Sequence, residues 1–386
     1  MRADAWVAGV TGFALAIVAG AATLGFVIAR KLTAPPSGRD YNLKIQDIVQ
    51  HEDHTAVVLD RTSATAAPGI YNLWLEDGGW VRLGPVVAQD AGTVTRLVES
   101  AEPEDALRLG RRASWSGIYY RDPADAGLHA EDVIVETPVG PAPAWLIRPT
   151  SNATNAWAVH IHGLSSPRAG TLRGVQVAAD VGLTSLVVTY RNDREGPTAG
   201  SGRSTLGATE TDDVRAAVRF AIARGAERIV LFGWSMGGAI ALQVAADLEF
   251  EGIINRLILD SPVLDWYATI EANCARAGLP PHVGRLTRPW LQWSALVRVV
   301  GLESALALDS YDWITRAKEL SVPTLILHGT DDTSSPTAAA RRLAQLRPDI
   351  VELETFRADH ALGWNTDPTR WGRLTGAWLA GPLRES

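Results

Sequence analysis

Arg228-Ile229-Val230-Leu231-Phe232-Gly233-Trp234-Ser235-Met236-Gly237-Gly238-Ala239-Ile240-Ala241-Leu242 runs from a β-branched, apolar segment through a glycine-flanked serine into a second apolar segment. Valine, isoleucine and phenylalanine suit a buried strand, predicted here over Arg228–Gly233, and the residues after the serine predict a helix over Met236–Leu248. A serine on a sharp strand-to-helix turn is the setting of a G-x-S-x-G nucleophile. Such a turn strains the backbone at the serine, so glycines stand two residues to either side, where a Cβ would strike the neighbouring strand or helix. The helix also aims its first backbone N–H groups at whatever binds above Ser235.

Working outward, the same grammar of apolar strand and amphipathic helix repeats from about Ala142. Strands are predicted at Trp157–His162, Thr184–Tyr190, Asn255–Asp260, Pro323–His328 and Val351–Phe356. Helices are predicted at Leu172–Val181, Thr211–Arg224, Thr337–Leu346 and Pro368–Leu379. This alternation implies an α/β unit over residues 142–386 with a mostly parallel sheet and helices on its faces. Between Tyr41 and Pro141 the apolar runs are short and separated by turns such as Pro68-Gly69 and Asp77-Gly78-Gly79, which predicts a small β-rich accessory region over 41–141.

A serine hydroxyl needs a base, and a histidine beyond the last strand is where one is expected. His360 follows Val351–Phe356 and precedes the final helix. His51, His54 and His129 fall in the accessory region, His282 in an insertion, and His160, His162 and His328 at or in strands, where structural roles are expected. The base needs a carboxylate to fix its tautomer. Asp331 and Asp332 both follow the strand Leu325-Ile326-Leu327-His328, and Asp332 is preferred; Asp260, at the end of another strand, is the outside alternative. Charge on a former carbonyl oxygen would be met by the amides of Met236 and of Leu164, which follows Gly163. His160 and His162 alternate on one face of a strand with no third ligand, so no metal is expected, and no cofactor is implied.

The chain has 386 residues with 43 acidic and 36 basic side chains, a net charge of -7 and no long run of one sign, which gives no footprint for nucleic acid. Its single cysteine, Cys274, cannot form an internal disulfide. Ala5–Ala29 carries no charge, which predicts a transmembrane anchor over 1–31; a cleaved signal peptide ending near Ala19-Gly20-Ala21 and a buried helix are the alternatives. Arg30, Lys31, Arg39 and Lys44 outweigh Arg2, which leans toward a cytoplasmic catalytic part. Pro35-Pro36-Ser37-Gly38 reads as a linker within 32–40.

With these residues in hand, the chain resembles the α/β-hydrolase superfamily over about 240 residues from Trp145 to Leu383. His160-Ile161-His162-Gly163, Tyr190-Arg191-Asn192-Asp193, Thr209-Glu210-Thr211-Asp212-Asp213, Leu259-Asp260-Ser261-Pro262 and His328-Gly329-Thr330-Asp331-Asp332 are similar to bacterial esterases of the prolyl-oligopeptidase-like and serine-aminopeptidase-like group. The layout is close to that of membrane-tethered hydrolases. The resemblance implies the chain order Ser235, Asp332, His360, with the acid four residues past His328. It also implies that the insertion at about 262–314 is a helical cap, whose Trp266, Trp290 and Trp293 would face an acyl group or else pack the cap onto the core. Ser334-Ser335 and Asp359 depart from the group's pattern. The expected activity is carboxylic-ester hydrolysis on a small-molecule ester or acyl substrate. A peptidase acting on short peptides and a catalytically silent binding protein are the alternatives.

Overall fold

The computed structural model describes residues 18–50, 52–150 and 154–381, which form two sheets. The first contains β1 (Leu43–Lys44), β2 (Asp47–Gln50), β3 (Thr55–Asp60), β4 (Tyr71–Leu75), β5 (Trp80–Gln89), β6 (Thr93–Glu102) and β7 (Arg112–Ser116), in the order β1-β7-β4-β5-β6-β3-β2. Its two outermost strands are consecutive in the chain. Between them the Ile45 N–H donates to Arg111 O beside β7 at 3.0 Å, and the Gln46 N–H donates to Val58 O on β3 at 2.9 Å. These bonds stitch the sheet's two edges together, so it curls into a barrel and leaves little open edge. Pairs spaced by two residues fill its interior: Leu43 and Ile45, Val57 and Leu59, Leu73 and Leu75, Val81 and Leu83.

The second sheet contains β8 (Ala130–Thr137), β9 (Gly140–Ile147), β10 (Ala156–Ile161), β11 (Thr184–Val188), β12 (Arg228–Trp234), β13 (Ile254–Asp260), β14 (Thr324–Gly329) and β15 (Val351–Phe356). Their order is β15-β14-β13-β12-β10-β11-β9-β8. The strands from β10 to β15 pair in parallel, and β8 and β9 form an antiparallel hairpin on one edge. This corrects the expected boundary: Ala130–Thr137 belongs to the second sheet, not to the accessory region. The apolar run Val133-Ile134-Val135 would suit either sheet, and only its pairing with β9 assigns it.

Around the sheet stand α1 (residues 18–32), α2 (Leu172–Asp180), α3 (Glu210–Ala223), α4 (Met236–Ala245), α5 (Trp266–Arg276), α6 (Arg288–Gln292), α7 (Ser294–Val300), α8 (Thr337–Leu346), α9 (Gly363–Thr366) and α10 (Pro368–Ala380). Alternate residues of the central strands face opposite layers, as a pleated strand requires. Val159, Ile161 and Leu231 pack with Val214, Ile240 and Leu343 of α3, α4 and α8, while Ala158, Val230 and Phe232 pack with Ala178 and Trp371 of α2 and α10. From β10 the chain moves outward to β11 and then crosses back to β12 on the other side of β10. That reversal is a topological switch point at the carboxyl ends of β10 and β12, the place where open α/β sheets bind ligands.

The expected anchor lies partly outside the described residues, at 1–17. Its remainder is docked: Ala29 is fully buried, Phe26 packs on the Trp290 ring at 5.0 Å, and Arg30 donates to Val300 O at 3.2 Å. Among the described residues no helix is long and apolar enough to cross a membrane. The insertion between β13 and β14 is helical, with α5, α6 and α7.

Candidate active site

Ser235 ends β12 and opens α4, with φ 53° and ψ -116°. A non-glycine residue in that region costs about 1–3 kcal/mol and persists only where its surroundings fix it. Here they do. The Ser235 N–H donates to Asp260 O at 3.0 Å, and Ser235 O accepts from Gly238 N at 2.9 Å and Val263 N at 3.1 Å. The flanking glycines are required by contact. A Cβ on Gly233 would lie 2.6 Å from Gly237 O, one on Gly237 would overlap Ile161 O, and one on Gly238 would lie 2.7 Å from the Pro262 Cβ.

The loop after β15 brings His360 over this turn, with Nε2 2.9 Å from Ser235 Oγ and Nδ1 2.8 Å from Asp332 Oδ2. The Asp332 side chain has no exposed surface, and its Oδ1 accepts from the Ser334 N–H at 2.8 Å and the Ser335 N–H at 2.7 Å. Burial opposes its charge, yet hydrogen bonds from His328 and His360 hold the carboxyl well below the usual carboxylate range. Asp331 is exposed. Asp260 faces elsewhere, accepting from Trp371 Nε1 at 3.0 Å, and burial pushes its carboxyl above the ordinary range.

Both departures from the esterase pattern have visible uses. The Ser335 hydroxyl donates to Pro262 O at 2.7 Å and the Ser334 hydroxyl accepts from Asn273 Nδ2 at 3.2 Å, bonds that apolar side chains could not make. Asp359 Oδ1 accepts from Thr333 N at 2.8 Å and from His360 N at 2.7 Å, which ties the loop of Asp332 to the loop of His360.

Gly163 lies against Ser235: a Cβ there would be 3.1 Å from the Ser235 Cβ and 3.8 Å from its Oγ. Leu164 follows Gly163 in the chain, and Met236 is the first residue of α4. Beneath this loop is a polar cluster that sequence reasoning treated only as structural. His162 Nε2 is 2.9 Å from Asp193 Oδ2, and the Tyr190 hydroxyl lies 3.0 Å from His162 Nδ1 and donates toward Gly163 O at 3.1 Å. His328, for which a structural role is expected from its place in a strand, lies with its Nε2 3.2 Å from Asp332 Oδ2, and its spacing of four from Asp332 is the signal in the sequence. His160 bonds Ser185 Oγ at 3.0 Å and stacks on Phe232.

The cap tryptophans are placed differently from their substrate-facing expectation. Trp266 is 2% exposed within the core, Trp290 packs on Phe26 of α1, and Trp293 is 63% exposed to solvent. Their periodicity could not separate these fates, because the helix that covers Trp290 reads in the sequence as a membrane span. Among the described residues no group of three or more His, Cys, Asp or Glu side chains could hold a metal ion.

Residues 158–371 match the model of the alpha/beta hydrolase family. The chain belongs to that family. Residues 47–116, most of the barrel, match a domain of unknown function, DUF8805. Over 202 residues this hydrolase is 29% identical to Protein ABHD12B of Homo sapiens, which covers 50% of each chain, so it spans about half the length of that curated relative. Among solved structures, the Pyrococcus furiosus esterase Pf2001 aligns with a TM-score of 0.52 and 18% identity, covering 67% of this chain and 94% of that one. A second crystal form of the esterase gives 0.51 and 19%, over 67% and 93%. At that identity the likeness is one of fold.

Proposed function

We propose that this hydrolase cleaves carboxylic esters through an acyl-enzyme, with Ser235 as nucleophile, His360 as general base and Asp332 as the acid that orients it. The observation that carries this reading is the continuous hydrogen-bonded line from Ser235 Oγ through His360 to Asp332. Ser235 Oγ attacks the ester carbonyl as its proton passes to His360 Nε2. Asp332, held as a carboxylate, keeps the other proton on Nδ1 and stabilises the imidazolium. The amides of Met236 and Leu164 receive the oxyanion, an interaction on the scale of about 2.7–4 kcal/mol per donor. Collapse breaks the bond to the alcohol, which leaves with the proton from His360. Water then attacks the acyl-serine as His360 takes its proton, the acyl–Oγ bond breaks, and His360 returns the proton to Ser235 Oγ as the carboxylic acid departs.

The test is a comparison of p-nitrophenyl acyl esters with aminoacyl anilides. Hydrolysis of the esters that vanishes in Ser235→Ala supports the proposal. Cleavage of the anilides alone would transfer the site to the peptidase reading.

We also propose membrane attachment through the uncharged N-terminal stretch. Gly25 lies directly against the backbone of Leu286, so the attaching segment ends before it. Residues 5–24 remain, close to the roughly 20 apolar residues that a span needs. Full-length chain that stays in the membrane pellet after alkaline carbonate supports attachment, and release into the supernatant contradicts it.

A further inference from the structure

The barrel touches the hydrolase at α9, the single turn that begins three residues after His360. Arg96, on β6, is fully buried, with its guanidinium 5.1 Å from the Tyr71 ring and 5.4 Å from the Trp115 ring, two rings that pack on each other at 4.6 Å. It donates to four backbone carbonyls: Gly84 O at 3.1 Å, Thr65 O at 3.0 Å, Ala67 O at 2.8 Å and Gly69 O. One cation thereby gathers the segment 65–69 into a fixed shape. The next residue, Ile70, bonds Asn365 of α9 twice: the Ile70 N–H donates to Asn365 O at 2.9 Å, and Asn365 Nδ2 donates to Ile70 O at 2.9 Å. Asn365 Nδ2 also donates to Gly117 O at 2.8 Å, just past β7. The seam is tight as well as polar. A Cβ on Gly69, which has φ 102°, would overlap Asn365 O, and one on Gly117 would overlap the Leu362 side chain.

Asn365 passes the constraint inward. Its Oδ1 accepts from Arg173 Nη1 at 3.0 Å, and Arg173 Nη2 donates to Ala361 O at 2.9 Å. Ala361 is the neighbour of His360 and sits at φ 54°, a region that alanine adopts only under restraint. Its N–H is held by Ser261 Oγ at 3.0 Å and its carbonyl by Arg173, so both sides of the residue are fixed.

We propose that the barrel is a positioning element for His360, acting through Arg96, Ile70, Asn365 and Arg173, and not merely a spacer; this rests on the catalytic role proposed above for His360. A packing role alone would be met by apolar contact, such as that of Tyr119 and Tyr120 with Trp364. Directional bonds that end on the peptide beside the imidazole set its register. None of the four residues need touch substrate.

The test uses the full chain with Arg96→Met, Arg96→Lys and Asn365→Leu, and with Arg108→Ala, an exposed ion pair of the barrel, as control. Hydrogen exchange of the peptide 357–367 is followed together with ester kinetics. The expectation is exchange in that peptide faster by about tenfold or more in Arg96→Met and Asn365→Leu, unchanged in the control. kcat should fall by about tenfold to a hundredfold with KM within about twofold, the scale of a small misplacement of a catalytic group. Arg96→Lys, which keeps the charge but cannot span four carbonyls, should fall between, and it serves if the methionine variant does not fold. The double variant should lose no more than the worse single one, since both act on one path. Folded variants whose 357–367 peptide stays as protected as in the wild type would overturn the proposal. Loss of protection in a chain whose wild type hydrolyses no ester would instead uphold the positioning and overturn the catalytic reading.

Discussion

His328 stands with its Nε2 3.2 Å from Oδ2 of Asp332, the same oxygen that faces His360, and it shares that proton with Ser335 O at 2.9 Å. The carboxylate is therefore oriented by a buried imidazole behind it and two serine amides beside it before His360 reaches it. Replacing His328 by leucine removes one of these supports and leaves the rest. We expect kcat to fall by about tenfold to a hundredfold with KM nearly unchanged, against a loss of about 10⁴ for Asp332→Asn, where the imidazole takes the wrong tautomer. Steady-state kinetics of the two variants on one ester checks the ranking, and equal losses would contradict it.

The cluster under Gly163 makes a separate prediction. Asp193 fixes His162, and Tyr190 bonds toward the Gly163 carbonyl, so the peptide that presents the Leu164 amide depends on both. Asp193→Asn should lower kcat by about 10² or less, the scale of one oxyanion donor, while the serine still reacts with a fluorophosphonate at a reduced rate. Unchanged kcat would show that the loop holds its place without Asp193.

Gly237→Ala should be the most destructive small substitution in the turn, because the added methyl meets the Ile161 carbonyl, which is backbone in a central strand and cannot yield. Loss of more than about 3 kcal/mol, or no soluble protein, is expected, compared with about 1 kcal/mol for an ordinary substitution. Denaturant unfolding beside the wild type measures it.

His160 gives a pH dependence of stability. It is completely buried, and burial pushes its pKa down to about 3. Its folded pKa lies below its ordinary value, so the unfolded chain binds the extra proton first. The neutral side chain's contribution is complete above about pH 6.5 and is lost as the pH falls toward 3, by up to about 1.4 kcal/mol per pH unit. His160→Gln, which can still bond Ser185, should flatten the fall in stability between pH 6.5 and 4.5. Parallel curves for the two proteins in urea would contradict this.

The parts that were legible in the sequence share a physical reason. A parallel strand buried on both faces writes a continuous apolar run, and the Ser235 turn writes its glycines, so β10 to β15 and the turn could be read locally. Contacts made across the fold left weaker traces. The strand Ala130–Thr137 has the same short apolar run whichever sheet it joins. Trp290 and Phe26 each look like surface that needs covering, and nothing local says that they cover one another. Asn365 is an ordinary residue between Trp364 and Thr366 until the barrel is packed against it.

The most direct test of the account is the intact mass of the full chain after exposure to a fluorophosphonate, with peptide mapping of the adduct. A single adduct on Ser235, abolished in Ser235→Ala and slowed in His360→Ala, is the predicted result. A wild-type protein that is folded and gains no adduct, or gains it on another residue, would contradict the assignment of Ser235 as nucleophile.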